Sequence, residues 1–383
     1  MKFTILIEDY NLFYTNFLES NNFLNDKSYD EKLSYLLSKK YYQADSLAQA
    51  LIKLGHEAEV IIPACNPLQL SWLKENDKKL FLKWNFQKPI RSFKSRFFKK
   101  YNTFNSIRDE VLVAQLEKEK PDVVFVYSTI WIGSKTLEKI KLFVKKIILQ
   151  WSCPIEEKWK NLSFNKFDFI VSSSTSIADY FSKKGIPSFY WQQAFDKTIL
   201  DQLSIEISAK KDLVFIGNFT SFHSYRYEII EYLLQNNINI DVYGDGKDSM
   251  PDDSILKLKI KKPLNGIEMF EKYNQYKMAL HIYGEGKENN GIDWTSFAGA
   301  KRNFEITGIG TTLLTSYQKN LKELFNEDEI LTFKTKEECL EKVRYYLNKP
   351  IELKNIAQAG QKKTLKEHTF VNRAESLLKL IIN

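Results

Sequence analysis

The stretch Lys301-Arg302-Asn303-Phe304-Glu305-Ile306-Thr307-Gly308-Ile309-Gly310-Thr311-Thr312-Leu313-Leu314-Thr315 mixes charged and apolar positions in an order that suits a ligand site at the start of a helix. Phe304, Ile306 and Thr307 supply an inward face, while Arg302 and Glu305, three apart, share another. Gly308 and Gly310 are expected to break the helix, and Thr311 to Thr315 to form a short buried strand. An arginine beside unpaired backbone N–H groups at a helix N-terminus holds phosphate. A carboxylate one turn later accepts hydrogen bonds from two sugar hydroxyls. A surface ion pair ahead of a glycine cap, worth under ~1 kcal/mol, fits the same residues, so both readings stay open on these residues alone.

Working outward, short apolar runs alternate with helical patterns, which argues for parallel, doubly wound sheets. Phe3 to Ile7 suits a buried strand, with Glu8 and Asp9 at its carboxyl end, where open α/β sheets bind ligands. A helix N-cap or a solvated turn is the other reading of these two acids. From Tyr41 to Leu54 the apolar positions Tyr42, Leu47, Leu51 and Leu54 follow helical spacing, and Gly55-His56 ends that helix before a strand at Ala58 to Ile62. Further strands are expected at Pro121 to Tyr127, Lys146 to Gln150, Phe167 to Val171, Asp212 to Asn218, Ile238 to Tyr243 and Met278 to Tyr283. Lys197 to Lys211 lacks a core pattern and reads as a linker, and Lys362 to Leu380 as the final helix.

A chain of 383 residues exceeds what one hydrophobic core usually serves, so two domains are the default. The three cysteines, Cys65, Cys153 and Cys339, are far apart and form no CxxC, which argues against a disulfide framework or a structural zinc site and fits a reducing compartment. With four scattered histidines a histidine-rich metal site is not expected either. The N-terminal apolar run turns acidic too early for a signal peptide, and no run approaches the ~20 apolar residues of a spanning helix, so a cytoplasmic protein is expected. The net charge of +8 calls for an anionic partner or for none.

Lys88 to Phe104 sets Phe93, Phe97, Tyr101 and Phe104 at helical spacing, with Arg91, Lys94, Arg96, Lys99 and Lys100 among them and no acid. This is the pattern of an interfacial helix, which makes Arg91, Phe93, Lys94, Phe97, Lys100 and Tyr101 candidate membrane-facing residues at an anionic surface. An amphipathic helix with its rings in the core and a solvated basic face reads the same way. No nucleic-acid-binding motif accompanies it.

Arg302-x-Phe304-Glu305-x-x-x-x-Gly310, then Leu313-Leu314-Thr315 and Leu321 to Phe325, resembles the C-terminal part of GT-B glycosyltransferases, and in particular a CgeB-like branch. The likeness continues through Glu337-Glu338-Cys339-Leu340, Ala357-x-Ala359-Gly360 and His368-Thr369-Phe370-x-x-Arg373, and is loose before Lys301. It implies an α/β GT-B fold of two Rossmann-like, doubly wound parallel-sheet domains facing a cleft. The implied division is 1–196 for the acceptor-binding domain, 197–211 for a linker, 212–365 for the nucleotide-sugar-binding domain and 366–383 for a helix crossing back. By resemblance Glu305 binds the ribose and Arg302 faces the diphosphate. Gly217, Asn218, His223, Arg226 and Gly308 are the further donor-binding candidates.

The same resemblance makes Glu8 or Asp9 the candidate base of an inverting enzyme. Many retaining relatives carry a second glutamate eight residues before the ribose-binding one, but Phe297 stands there, and Glu285 is the candidate substitute. No metal or other cofactor is expected. The implied activity is transfer of a sugar from a nucleotide-diphosphate sugar to a hydroxyl of a glycan or lipid-linked acceptor, as in envelope polysaccharide or glycoconjugate synthesis, with the enzyme cytoplasmic or peripheral on the inner face of the membrane. A nucleotide-sugar epimerase of the same fold and a non-catalytic nucleotide-sugar-binding protein are the alternatives.

Overall fold

The computed structural model describes residues 1–9, 12–85, 105–127, 132–152, 163–203, 210–219, 224–284 and 300–382. The chain divides into two compact units. The first contains Met1–Lys40, Ala44–Ser172 and Phe181–Phe189; the second contains Tyr41–Gln43, Ser173–Tyr180 and Tyr190–Asn383.

The first unit is built on a six-stranded sheet of order β2-β1-β3-β4-β5-β6: β1 (Lys2–Leu6), β2 (Glu57–Ile61), β3 (Val123–Tyr127), β4 (Lys146–Gln150), β5 (Phe169–Ser172) and β6 (Ser188–Tyr190). β1 pairs in parallel with β2 and β3, Ile5 standing opposite Val60 on one side and Phe125 on the other. Its strands are continuous apolar runs such as Val-Val-Phe-Val because both faces of a parallel sheet are covered. Helix α1 (Phe13–Ser20) follows β1 with Leu12 at its N-cap position, and Asp9 bonds to its first turn. The buried Asp9 carboxylate accepts from the Tyr14 N–H at 2.7 Å, the Thr15 N–H at 3.0 Å and the Thr15 hydroxyl at 2.6 Å. It therefore satisfies orphan amides of the helix, the helix-start alternative for this acid, with both lone pairs of Oδ2 and one of Oδ1 engaged. Glu8 is half-buried at the carboxyl end of the strand.

Helices α2 (Tyr29–Ser38) and α3 (Ser46–Lys53) follow. A capping box, Ser28 with Glu31, starts α2. The helix expected from Tyr41 begins only at Ser46. Tyr42 and Gln43 stand in left-handed backbone at φ 52° and 50°, a region that costs a non-glycine residue of order 1 kcal/mol.

The second unit carries a five-stranded parallel sheet of order β11-β10-β9-β7-β8: β7 (Lys211–Ile216), β8 (Ile240–Tyr243), β9 (Tyr276–His281), β10 (Thr312–Ser316) and β11 (Leu331–Phe333). Period-two alternation sends Leu213 and Phe215 to one core and Val214 and Ile216 to the other. From β7 the chain goes to β8 on one side and β9 on the other, so the topological switch lies between the carboxyl ends of β7 and β9. That is where ligands bind in open α/β sheets. Helices α4 (Ser224–Gln235), α5 (Gly266–Asn274) and α6 (Lys301–Ile309) connect the strands.

The expected final helix is two: α7 (Pro350–Glu367) and α8 (Phe370–Ile382), parted at His368. His368 is buried against Phe304 and Phe325, ring centroids 4.9 and 5.4 Å away. Its Nε2–H donates to the Leu324 carbonyl at 3.0 Å, and Nδ1 accepts from Arg373 Nη2 at 2.9 Å. Burial pushes the imidazole down to about 4, although the Leu324 carbonyl pulls the other way. The unfolded chain, with an ordinary histidine at 6.5, therefore takes up the proton first as pH falls. Stability is expected to drop by ~1.4 kcal/mol per pH unit below 6.5, about 2 kcal/mol by pH 5. Urea unfolding at pH 7 and pH 5 checks this, and His368→Leu should remove that part of the slope.

Candidate functional site

Helix α6 begins after Ala300, whose methyl group cannot cap it, so the amides of Lys301 and Arg302 have no partner among the described residues. One turn on, Arg302 Nη1 donates to Glu305 Oε2. The Glu305 side chain is 3% exposed and that of Arg302 30%, so the pair has a buried acid and a half-exposed base. Glu305 Oε1 accepts from Gln43 Nε2 at 3.1 Å, and Gln43 Oε1 accepts from the Asp196 N–H at 2.6 Å. The Lys301 ammonium donates to the Tyr42 carbonyl and lies 5.5 Å from the Tyr42 ring centroid.

Arg226, on the first turn of α4, closes the switch point. Its Nε donates to the Ile282 carbonyl at 2.7 Å and Nη1 to the Asn218 carbonyl at 2.9 Å, tying the loop after β7 to the loop after β9. Nη2 has no partner among the described residues. Below it Tyr273 is buried, its hydroxyl 3.5 Å from the Ile216 carbonyl and its pKa pushed up to about 12 by burial.

The sequence-predicted residues fare differently. Arg302, Glu305, Arg226 and Asn218 gather at the carboxyl edge of the second sheet. The Gly217 amide donates to the Tyr243 carbonyl at 2.9 Å and is not available to an anion, whereas the Asn218 amide has no partner among the described residues. Gly308 does not end the helix. It lies inside α6, where a Cβ would come within 2.4 Å of the Phe195 ring, and Gly310, at φ 81°, is the C-cap. This close packing explains the glycine. His223, Glu285 and the 88–104 stretch with Arg91, Phe93, Lys94, Phe97, Lys100 and Tyr101 lie outside the described residues.

Residues 226–379 match the family described as glycosyl transferase-like. The C-terminal part of the chain is a glycosyl transferase-like domain. The fold is similar to that of a sucrose-phosphate synthase from Thermosynechococcus elongatus (TM-score 0.54, 10% identity, covering 100% of this chain and 98% of that one). It is also similar to a glycosyltransferase from Rickettsia africae (0.56, 10%, 99% and 97%). A third likeness is to HepE of Anabaena in complex with UDP-glucose (0.54, 9%, 100% and 99%). At such identity the likeness carries the fold, which is GT-B. No curated protein matches the sequence.

Within the glycosyl transferase-like domain the electrostatics favour an anion. Burial, and after it the neighbouring Arg302 charge, pushes Arg226 down to about 10, so a negative group entering beside them relieves a repulsion. Burial opposes the Arg302 charge as well, but Glu305 outweighs it and holds Arg302 above its ordinary value. Burial pushes Lys301 down to about 8, against the pull of Glu305. Lys301 and Gln43 were not singled out from the sequence. The first adjoins the Arg-x-x-Glu motif and was legible as a first-turn cation; the second has no local signal. Among the described residues no group of three or more metal-ligating side chains gathers, and no helix is long and apolar enough to cross a membrane.

Proposed function

We propose that the chain transfers a sugar from a nucleotide-diphosphate sugar to an acceptor hydroxyl. The observation that carries this reading is the buried Glu305 carboxylate, oriented on both oxygens, one turn from uncapped amides and two half-buried arginines. Glu305 accepts hydrogen bonds from the ribose hydroxyls. Arg302, Arg226 Nη2 and the Asn218 amide meet the diphosphate. In the reaction the bond from the anomeric carbon to the β-phosphate oxygen breaks and the acceptor oxygen bonds that carbon. The electron pair leaves with the diphosphate, and the acceptor proton passes to a base. Charge grows on the leaving phosphate, where a fixed donor is worth ~3–4 kcal/mol of barrier. The Glu8 carboxylate is the base proposed for proton removal, and Glu285 remains the proposed second carboxylate. No metal is proposed.

A glycan or lipid-linked acceptor at the inner face of the membrane, as in envelope polysaccharide assembly, is proposed on the basic aromatic stretch from Lys88 to Phe104. The test is a thermal-shift panel of UDP, GDP, ADP, CDP, dTDP and their common sugars, followed by assay of sugar release from whichever stabilises. A ligand at a hundred times its Kd is expected to stabilise by ~2.7 kcal/mol. No shift with folded protein overturns the donor site; binding without either transfer or slow hydrolysis leaves a binding protein.

A further inference from the structure

A carboxylate that accepts from two neighbouring hydroxyls must present one lone pair on each oxygen in the same direction. A glutamate on a helix does not do this unaided, because its side chain rotates. Arg302 holds Oε2, but its side chain is 30% exposed and is also asked to face the diphosphate. Gln43 holds the other oxygen and has no second task. Gln43 and Glu305 are each 2% exposed and Asp196 6%, so water does not compete for these contacts. The carboxamide cannot be turned over: its oxygen takes the Asp196 N–H at 2.6 Å, and the reverse orientation would set N–H against N–H. Its N–H end is thereby aimed at Glu305 Oε1. The left-handed backbone at Tyr42 and Gln43 shows that the surroundings impose this placement, since such conformations persist only where they are over-determined. With one lone pair of each oxygen engaged, by Gln43 and by Arg302, one remains on each for a diol.

We propose that Gln43 is a positioning residue that aims Glu305 at the vicinal hydroxyls of a ribonucleotide and so sets the preference for ribose over deoxyribose. This rests on the donor-site reading. The experiment is calorimetric titration of wild type, Gln43→Leu, Gln43→Glu and Glu305→Gln with UDP, GDP, ADP and CDP, each against its 2′-deoxy counterpart. Wild type is expected to favour the ribonucleotide by ~10–100-fold, the worth of hydrogen bonds to a charged group. Gln43→Leu is expected to bring that ratio within ~3-fold, the ribonucleotide losing more than its 2′-deoxy counterpart, which meets Glu305 through the 3′-hydroxyl alone. Gln43→Glu sets two carboxylates together and takes away the donor, so the ratio is expected to be lost.

A structural role alone would weaken both nucleotides together and leave the ratio standing, which overturns the proposal. So does a Gln43→Glu ratio equal to that of the wild type. A wild type that binds but does not discriminate overturns this inference and leaves the arginine and amide contacts in place. A wild type that binds no nucleotide overturns both readings.

Discussion

Glu305→Gln is expected to weaken binding of the preferred nucleoside diphosphate by about 30–100-fold, with little change in the fold. The substitution keeps the shape of the side chain and removes its charge. Two things then change in the same direction. On the proposed donor-site reading the ribose hydroxyls lose a charged acceptor, worth ~1.5–3 kcal/mol, and the Gln43 amide faces another amide whose orientation must now suit both Gln43 and Arg302. Stability should fall by only ~1 kcal/mol, because Arg302, 30% exposed, keeps solvent contact when its partner is neutralised. Isothermal titration against a urea unfolding control separates the two effects. Unchanged affinity would remove Glu305 from the ribose site. Arg302→Lys is the companion variant: it keeps a charge but loses the fork that serves Glu305 and a phosphate at once.

Gly246→Ala is expected to cost at least ~3 kcal/mol of stability, and Gly244→Ala about as much. A Cβ on Gly244 would lie 1.9 Å from the Gly217 carbonyl oxygen, and one on Gly246 1.9 Å from that of Phe219. The obstacles are backbone atoms held by the Gly217 N–H to Tyr243 and Phe219 N–H to Asp245 hydrogen bonds, so neither can move aside without unzipping the loop. Gly246 also stands at φ +110°, which an alanine resists. Gly55 at φ +84° and Gly185 at φ +74° face open space, so alanine there should cost only ~1 kcal/mol from the backbone. Urea unfolding of the four variants tests the contrast; equal losses would show that close approach is not what the 244–246 turn requires. The displaced Asn218 amide should also lower nucleotide affinity in any Gly244 or Gly246 variant that folds.

Much of this was legible because it is local. The parallel strands are continuous apolar runs, and Arg302 and Glu305 share a helical face whatever lies around them. The failures are of another kind. Asp9 looks the same on paper as a base or as a helix cap, and only the folded chain shows it bonded to the Tyr14 and Thr15 amides. Gly308 followed by Gly310 suggests a helix end, yet the first glycine answers to the Phe195 ring, 113 residues earlier in the chain (308 − 195). Gln43 reaches Glu305 across 262 positions, and no period or motif encodes such a pairing. Likewise Tyr42 fits a helical spacing, but the turn at Tyr41–Gln43 answers to Lys301, Glu305 and Asp196 rather than to its neighbours in sequence.

The Arg226 clamp has a consequence for what enters the switch-point crevice. Carbonyl oxygens at strand ends present partial negative charge, and those of Asn218 and Ile282 are turned onto a guanidinium. The N–H groups of the peptides that follow are also held, by Asp245 and Ser316. An approaching molecule thus meets the Asn218 amide and fixed positive charge, with two repelling lone-pair surfaces taken away. The crevice therefore favours a negative group over a positive one, and the association rate of a nucleoside diphosphate should fall as ionic strength rises.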